Sequence, residues 1–155
     1  MQKLFAAGCI VLVLTGLAHL LGHYSMVTAT GESDAERQML ELMRIRQDMG
    51  AGFVRSTMDI VAGFSLGFSV FSIGFGLLGL VFLRRGGGTP GLLRAAVTVY
   101  AGVFGIMTAV GLRYWFLAPL VMLAAAFACF VGALVLGASP RAPQSRQRLT
   151  GEERS

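Results

Sequence analysis

Long runs of apolar residues alternate with short polar segments along the chain, and this pattern predicts four membrane-spanning helices. The runs cover residues 4–26, 53–83, 92–112 and 115–137. Each is long enough to cross a hydrocarbon core of about 30 Å, which requires a helix of about 20 residues. The second run exceeds that length, so we expect its helix to tilt or to project from the membrane at one end.

Prolines and a short connection indicate where two of these helices begin and end. Pro90 precedes the third run, and Pro119 lies in the first turn of the fourth, where a missing backbone N–H costs little. Only Arg113 and Tyr114 separate the third run from the fourth. Because so short a connection makes neighbouring helices run in opposite directions, these two are predicted to form an antiparallel hairpin.

The polar segment between the first two runs has a helical pattern of its own. Ser33 and Glu36 have the spacing of a capping box, so a helix is predicted over about residues 34–49. Its apolar residues lie toward one side: Met39, Leu42, Met43 and Met49. This amphipathic pattern favours a helix that rests on the membrane surface or covers the end of a helix bundle. An ordinary solvated loop helix fits the pattern equally well.

The composition agrees with a membrane protein. Hydrophobic residues make up 55% of the 155 positions and charged residues only 14%, which lies outside the range of soluble domains. The chain is therefore predicted to be an all-α membrane protein, a four-transmembrane-helix bundle with an amphipathic helix between the first and second spans. This domain covers residues 1–138, and residues 139–155 are predicted to be a disordered basic tail.

The net charge of +5 comes from arginines that collect at the ends of the apolar runs and in the tail. This placement indicates orientation signals and attraction to anionic lipid, not binding to nucleic acid. Eight basic residues fall on one side of the predicted membrane: Lys3, Arg84, Arg85, Arg94, Arg141, Arg146, Arg148 and Arg154. Five fall on the other: Arg37, Arg44, Arg46, Arg55 and Arg113. Both termini are therefore predicted to be cytoplasmic, because basic residues accumulate on that side.

Small residues indicate how the helices pack, since membrane helices associate through close approach of their backbones. The second run contains two such lines. One is a GxxxG step formed by Gly63 and Gly67, and the other consists of Ser65, Ser69, Ser72, Gly76 and Gly79. On the first run, one side is predicted to face the bundle: Gly8, Thr15, Gly16, His19, Gly22 and His23. Packing within the chain is the first expectation, and a homodimer or a membrane-protein partner is the alternative use of these faces.

Three ionisable residues lie inside the predicted spans, where each costs about 2.5 to 3.5 kcal/mol to insert. His19 and His23 are one helical turn apart, and Asp59 lies near the start of the second span. The predicted topology places all three in the outer half of the membrane, near Arg55 and Arg113. Their convergence is therefore a hypothesis that the sequence supports.

Three interpretations of this constellation remain open. His19, His23 and Asp59 could ligate a metal ion, because histidines at i and i+4 present both imidazoles on one helix face. They could instead carry protons, since His titrates near neutrality. In the third interpretation they form a structural polar network, with Asp59 paired to Arg55, Arg113 or a histidine. No particular cofactor is predicted, and no catalytic residue, because the sequence contains no nucleophile triad, CxxC or phosphate-binding loop.

Three segments carry a resemblance: TGLAHLLGHYS at 15–25, RSTMDIVAGFSLGFSVFSIGFGLLGL at 55–80 and RYWFLAP at 113–119. They resemble a family of small four-span bacterial membrane proteins that has no established activity. The resemblance implies a multi-pass protein of the bacterial inner membrane. It adds no function, and the faces of small residues and phenylalanines lead us to expect a non-enzymatic accessory or assembly protein. The alternative is a metal-binding, proton-coupled or redox membrane protein that uses the histidines and Asp59.

Overall fold

A computed structural model of the chain describes residues 1–86 and 89–138, which form five α-helices and one β-hairpin. The elements are α1 (Gln2–Thr28), α2 (Asp34–Arg44), β1 (Arg46–Asp48), β2 (Val54–Ser56), α3 (Thr57–Gly86), α4 (Pro90–Tyr114) and α5 (Leu117–Ala138). Four of the helices, α1, α3, α4 and α5, are long and apolar enough to cross a membrane. The prediction of four such helices is confirmed. The predicted tail lies outside the described residues.

Helix α1 packs along α3 on one side and against α5 on the other, and α5 also packs against α4. A buried apolar core joins α1, α4 and α5: Phe5, Cys9, Leu12, Leu93, Val97, Tyr100, Ala101, Phe104, Leu123, Ala126, Phe130 and Ala133. Helix α4 reaches α3 mainly through aromatic side chains. The Tyr100 hydroxyl donates a hydrogen bond of 2.8 Å to the carbonyl of Phe75, which ties the two helices together.

Glycines and serines allow α1 and α3 to approach each other closely. A Cβ atom at Gly76 would lie 2.6 Å from the carbonyl oxygen of Cys9, and one at Gly16 would lie 2.7 Å from the carbonyl oxygen of Ser69. Ser69 and Ser72 are buried in the same contact. The line of small residues that includes Ser69, Ser72, Gly76 and Gly79 is therefore the α1-facing face of α3.

The predicted capping box is present. The Ser33 hydroxyl accepts a hydrogen bond of 3.2 Å from the N–H of Glu36, and the Glu36 carboxylate accepts one of 3.1 Å from the N–H of Ser33. The bonds that the Glu36 carboxylate accepts from the N–H groups of Glu32 and Ser33 lower the pKa of Glu36. Sequence analysis therefore located the start of α2 correctly.

The predicted end of this helix is wrong. Helix α2 ends at Arg44, not near Met49, and the next residues form the hairpin β1–β2, in which Gln47 pairs with Arg55. Ile45 takes φ −63° and ψ 123°, which ends the helix, and Gly50, Ala51 and Gly52 take positive φ angles of +88°, +52° and +80° in the turn of the hairpin. The second predicted span accordingly begins at Thr57 and not at Phe53, because β2 precedes it.

The helical hairpin of α4 and α5 is present, with its connection shifted. Trp115 and Phe116 form the connection, and Arg113 and Tyr114 extend α4 by two residues beyond the predicted end. The N–H of Trp115 donates to the carbonyl of Gly111 at 2.9 Å and closes the helix. A polar residue at the end of an apolar run can therefore stay helical, because its backbone remains bonded within the helix.

Candidate functional site

Asp59 stabilises the first turn of α3. Its carboxylate accepts a hydrogen bond of 2.9 Å from the N–H of Ser56, and its own N–H donates to the Ser56 hydroxyl at 3.1 Å. This is a second capping box, with Asp in place of Glu. Sequence analysis missed this role, although Ser56 and Asp59 have the Ser-x-x-Asp spacing that signals it.

Asp59 also lines an open cleft of about 480 Å³ beside two guanidinium groups. We call it the arginine cleft, and its lining residues are Arg46, Arg55, Asp59, Ile60, Gly63 and Phe64. Arg46 comes from β1 and Arg55 from β2, so the hairpin brings both to the start of α3. Within residues 1–86 and 89–138, one ion pair has an N–O distance of 4.0 Å or less, and it joins Arg37 to Asp34. Asp59 therefore forms no ion pair in this part of the chain. Both guanidiniums therefore share the cleft with the Asp59 carboxylate without forming an ion pair with it.

Of the predicted network Arg55, Asp59 and Arg113, the structure places the first two in the arginine cleft and Arg113 outside its lining. The guanidinium of Arg55 donates to the carbonyl of Val54 at 2.9 Å. The guanidinium carbon of Arg113 lies 5.7 Å from the ring centroid of Tyr114, which is a cation–π distance. Arg113 therefore contacts the ring of Tyr114, the next residue at the end of α4.

His19 connects α1 to α3. Its Nε2 lies 3.1 Å from the Ser65 hydroxyl, and its ring meets Phe68 edge-on with the centroids 4.7 Å apart. A cavity of about 80 Å³ beside it is lined by His19, Phe68, Trp115, Phe116 and Pro119. The Ser65 carbonyl in turn accepts a hydrogen bond from the Ser69 hydroxyl at 3.1 Å. His19 is thus part of a short chain of polar groups between the two helices.

His23 lies one turn further along α1 and is half-buried. Its Nδ1 atom is buried and has no hydrogen-bond partner in the described part of the chain. Leaving a buried polar group without a partner costs about 1 to 3 kcal/mol. Within residues 1–86 and 89–138, no three His, Cys, Asp or Glu side chains are grouped closely enough to hold a metal ion. The structure thus bonds His19 to Ser65 and Asp59 to Ser56, and His23 keeps a free nitrogen.

Much of the face of α3 opposite α1 is exposed. A Cβ atom at Gly63, Gly67 or Gly74 would meet no heavy atom within 4 Å. Phe64 and Phe71 beside them are 77% and 67% exposed. We call this the open face, and it consists of Ile60, Gly63, Gly67, Val70, Gly74 and Leu77. The GxxxG step therefore lies outside the contact between α1 and α3 and keeps open space at both glycines.

A second cleft of about 470 Å³ follows the open face. We call it the glycine groove, and its lining residues are Gly63, Phe64, Gly67, Phe68, Phe71 and Trp115. It shares Gly63 and Phe64 with the arginine cleft. The two clefts therefore adjoin each other, with the charged cleft at the hairpin and the apolar one along α3.

The four long apolar helices define the class of the molecule, which is a multi-pass membrane protein. Comparisons of the chain with protein-family models, with curated proteins and with solved structures gave no match.

Proposed function

We propose that the chain is a non-enzymatic accessory or assembly protein of the bacterial inner membrane, and that it binds a partner helix along the open face of α3. One observation carries this proposal. Helix α3 has small residues on two opposite faces, and α1 covers only one of them. Because membrane helices associate at small residues, an uncovered face of this kind is suited to a helix from another protein or from a second copy.

The spacing of the open face supports a helix as its occupant. From Ile60 to Leu77 its residues recur at alternating intervals of three and four, which is the repeat of a helix-packing seam. Gly63, Gly67 and Gly74 provide the hollows, and Phe64 and Phe71 stand beside them. Glycine is about 1 kcal/mol less favourable than alanine within a helix in water. Three glycines without a contact in the chain are thus explained by a partner that needs the space.

The proposed architecture is a four-helix transmembrane bundle with both termini in the cytoplasm. The contacts of α1 with α3 and α5, and of α5 with α4, support the bundle. In this arrangement α2 and the hairpin lie at the outer surface, where exposed Met39, Leu42 and Ile45 would enter the interface. A reporter fused to the C-terminus tests the orientation. Reporter activity that requires the periplasm would contradict a cytoplasmic C-terminus.

Co-purification from native membranes tests the partner. Gly67→Leu fills the open face, and Gly102→Leu is the matched control, because Gly102 on α4 also has open space around its Cβ position. We expect a stoichiometric protein to co-purify with the wild type and the control and to be lost in Gly67→Leu. Equal recovery with all three chains would contradict a partner at this face.

A metal-binding, proton-coupled or redox function through His19, His23 and Asp59 is the second candidate. The observation that favours it is the free Nδ1 of His23 beside the hydrogen-bonded chain of His19 and Ser65. Metal analysis of detergent-purified protein, after exposure to zinc or copper and washing, compares the wild type with His19→Ala/His23→Ala. Near-stoichiometric metal that the variant loses supports this candidate, and no metal in either sample contradicts a metal site.

A further inference from the structure

The arginine cleft is lined by two positively charged side chains and one negatively charged side chain. Arg46, Arg55 and Asp59 are exposed and line it together, so two guanidiniums face one carboxylate. One oxygen of that carboxylate already accepts the N–H of Ser56. No ion pair within 4.0 Å joins the three in the described part of the chain. The cleft therefore has a net positive charge that attracts an anion.

The arginine cleft adjoins an apolar groove. It shares Gly63 and Phe64 with the glycine groove, where Gly67 has no side chain to fill the floor and Phe71 stands at the edge. In a multi-pass membrane protein, α3 runs from the interface into the hydrocarbon region, so the groove leads from polar to apolar surroundings. A ligand that fills both parts must be an anion at one end and a hydrocarbon at the other.

We propose that the arginine cleft and the glycine groove together bind a phospholipid with an anionic headgroup. Its phosphate contacts Arg46 and Arg55, because a guanidinium presents paired donors that match phosphate oxygens. One acyl chain lies over Gly63 and Gly67, between the exposed rings of Phe64 and Phe71. This goes beyond the partner proposed above. A partner helix on the open face would displace the acyl chain, so lipid and helix are alternative occupants.

The chain contains its own probe for this site. Trp115 lines the glycine groove and is the only tryptophan in the sequence. Acyl chains that carry bromine quench an indole they touch. The experiment places the full-length protein in phosphatidylcholine vesicles and replaces part of the lipid with dibrominated phosphatidylglycerol or with dibrominated phosphatidylcholine. Reconstitution at a protein-to-lipid ratio at which crosslinking detects only monomers keeps both another protein and a second copy off the open face, so failure of this test is distinct from failure of the partner proposal.

We expect brominated phosphatidylglycerol to quench Trp115 at a lower mole fraction than brominated phosphatidylcholine. The surplus of one positive charge predicts a preference of about fivefold, which corresponds to about 1 kcal/mol. Arg46→Gln/Arg55→Gln should abolish the preference. Arg84→Gln/Arg85→Gln is the matched control and should retain it, since those arginines lie in the last turn of α3, at the opposite end.

A second variant avoids any change to the hairpin. Gly67→Leu places its Cβ in open space and extends a side chain into the groove, so it should lower quenching by both brominated lipids, whereas Gly102→Leu on α4 should not. Equal quenching of the wild type by the two lipids would overturn the proposal. So would a preference that survives Arg46→Gln/Arg55→Gln, or one that Arg84→Gln/Arg85→Gln removes to the same extent.

Discussion

The two opposite faces of α3 are built from the same kinds of residue and have different surroundings. On the α1-facing face, Gly76 and Gly79 lie against the backbone and the thiol of Cys9. On the open face, Gly63 and Gly67 have free space. The comparison teaches that a small residue indicates only the capacity for close approach. Whether a neighbour uses that capacity depends on where the other helices lie.

The largest expected effect comes from placing the same side chain on each face. Gly76→Leu would drive its side chain into the Cys9 carbonyl, 2.6 Å from the Cβ position, and separate α1 from α3. Overpacking of this kind costs about 3 kcal/mol or more, whereas Gly67→Leu should stay within about 0.5 kcal/mol of the wild type. Thermal unfolding of the purified proteins in one detergent measures both. Equal losses would show that the open face is covered within the chain.

A smaller effect should follow from Tyr100→Phe, which tests the space that Gly79 leaves on the α1-facing face. The Tyr100 hydroxyl lies 3.2 Å from the position of a Cβ at Gly79 and donates to the Phe75 carbonyl. The variant keeps the ring contacts with Phe5 and Phe130 and loses about 1 kcal/mol of stability from the hydrogen bond. Chemical unfolding measures the loss. Leu92→Ala, at an exposed position of the same helix, is the control and should cost less.

Ser65→Ala tests the hydrogen bond between α1 and α3 that lies nearest the β1–β2 hairpin. Ser65 is the first residue of the line of small residues on the α1-facing face of α3. The substitution removes the hydrogen bond to His19 Nε2, and bonds of this kind between membrane helices average about 0.6 kcal/mol. We expect a loss of that size and a changed proton signal of the His19 ring, both measurable on purified protein. An unaltered imidazole spectrum would mean that His19 does not depend on Ser65.

The smallest effect lies outside both faces and provides a reference for them. The pKa of Glu36 is lowered in the folded protein by the bonds that its carboxylate accepts. These bonds therefore stabilise α2 fully at pH values above 4.5, the ordinary pKa of the group. That contribution is lost as the pH falls through the lowered folded-state pKa. Amide exchange at Glu32 and Ser33, after correction for intrinsic rate, should rise on acidification in the wild type. Glu36→Gln should show no such pH dependence at Glu32 and Ser33, and the substitution should leave exchange in α3 unchanged at each pH.

Local signals predicted the parts of the fold that local bonds decide. The Ser33–Glu36 spacing located the start of α2, and the apolar runs located the four long helices. The predicted end of α2 is wrong, because residues 46–48 pair with β2 across a turn, and the apolar spacing that includes Met49 does not reveal this pairing. For the candidate site, the sequence singled out His19 and Asp59. The bond of Asp59 to Ser56 is local and has a signal in the Ser-x-x-Asp spacing, whereas Ser65 is brought to His19 only by helix packing.

The sequence by itself determined that the chain has four long apolar helices and that α3 has two lines of small residues. Hydrophobic length and helical periodicity are properties of the chain alone. Only the tertiary structure decided that α1 covers the line with Gly76 and leaves the line with Gly67 open. Periodicity describes each face of a helix without reference to its neighbours. The position of a second helix depends on the packing of all of them together.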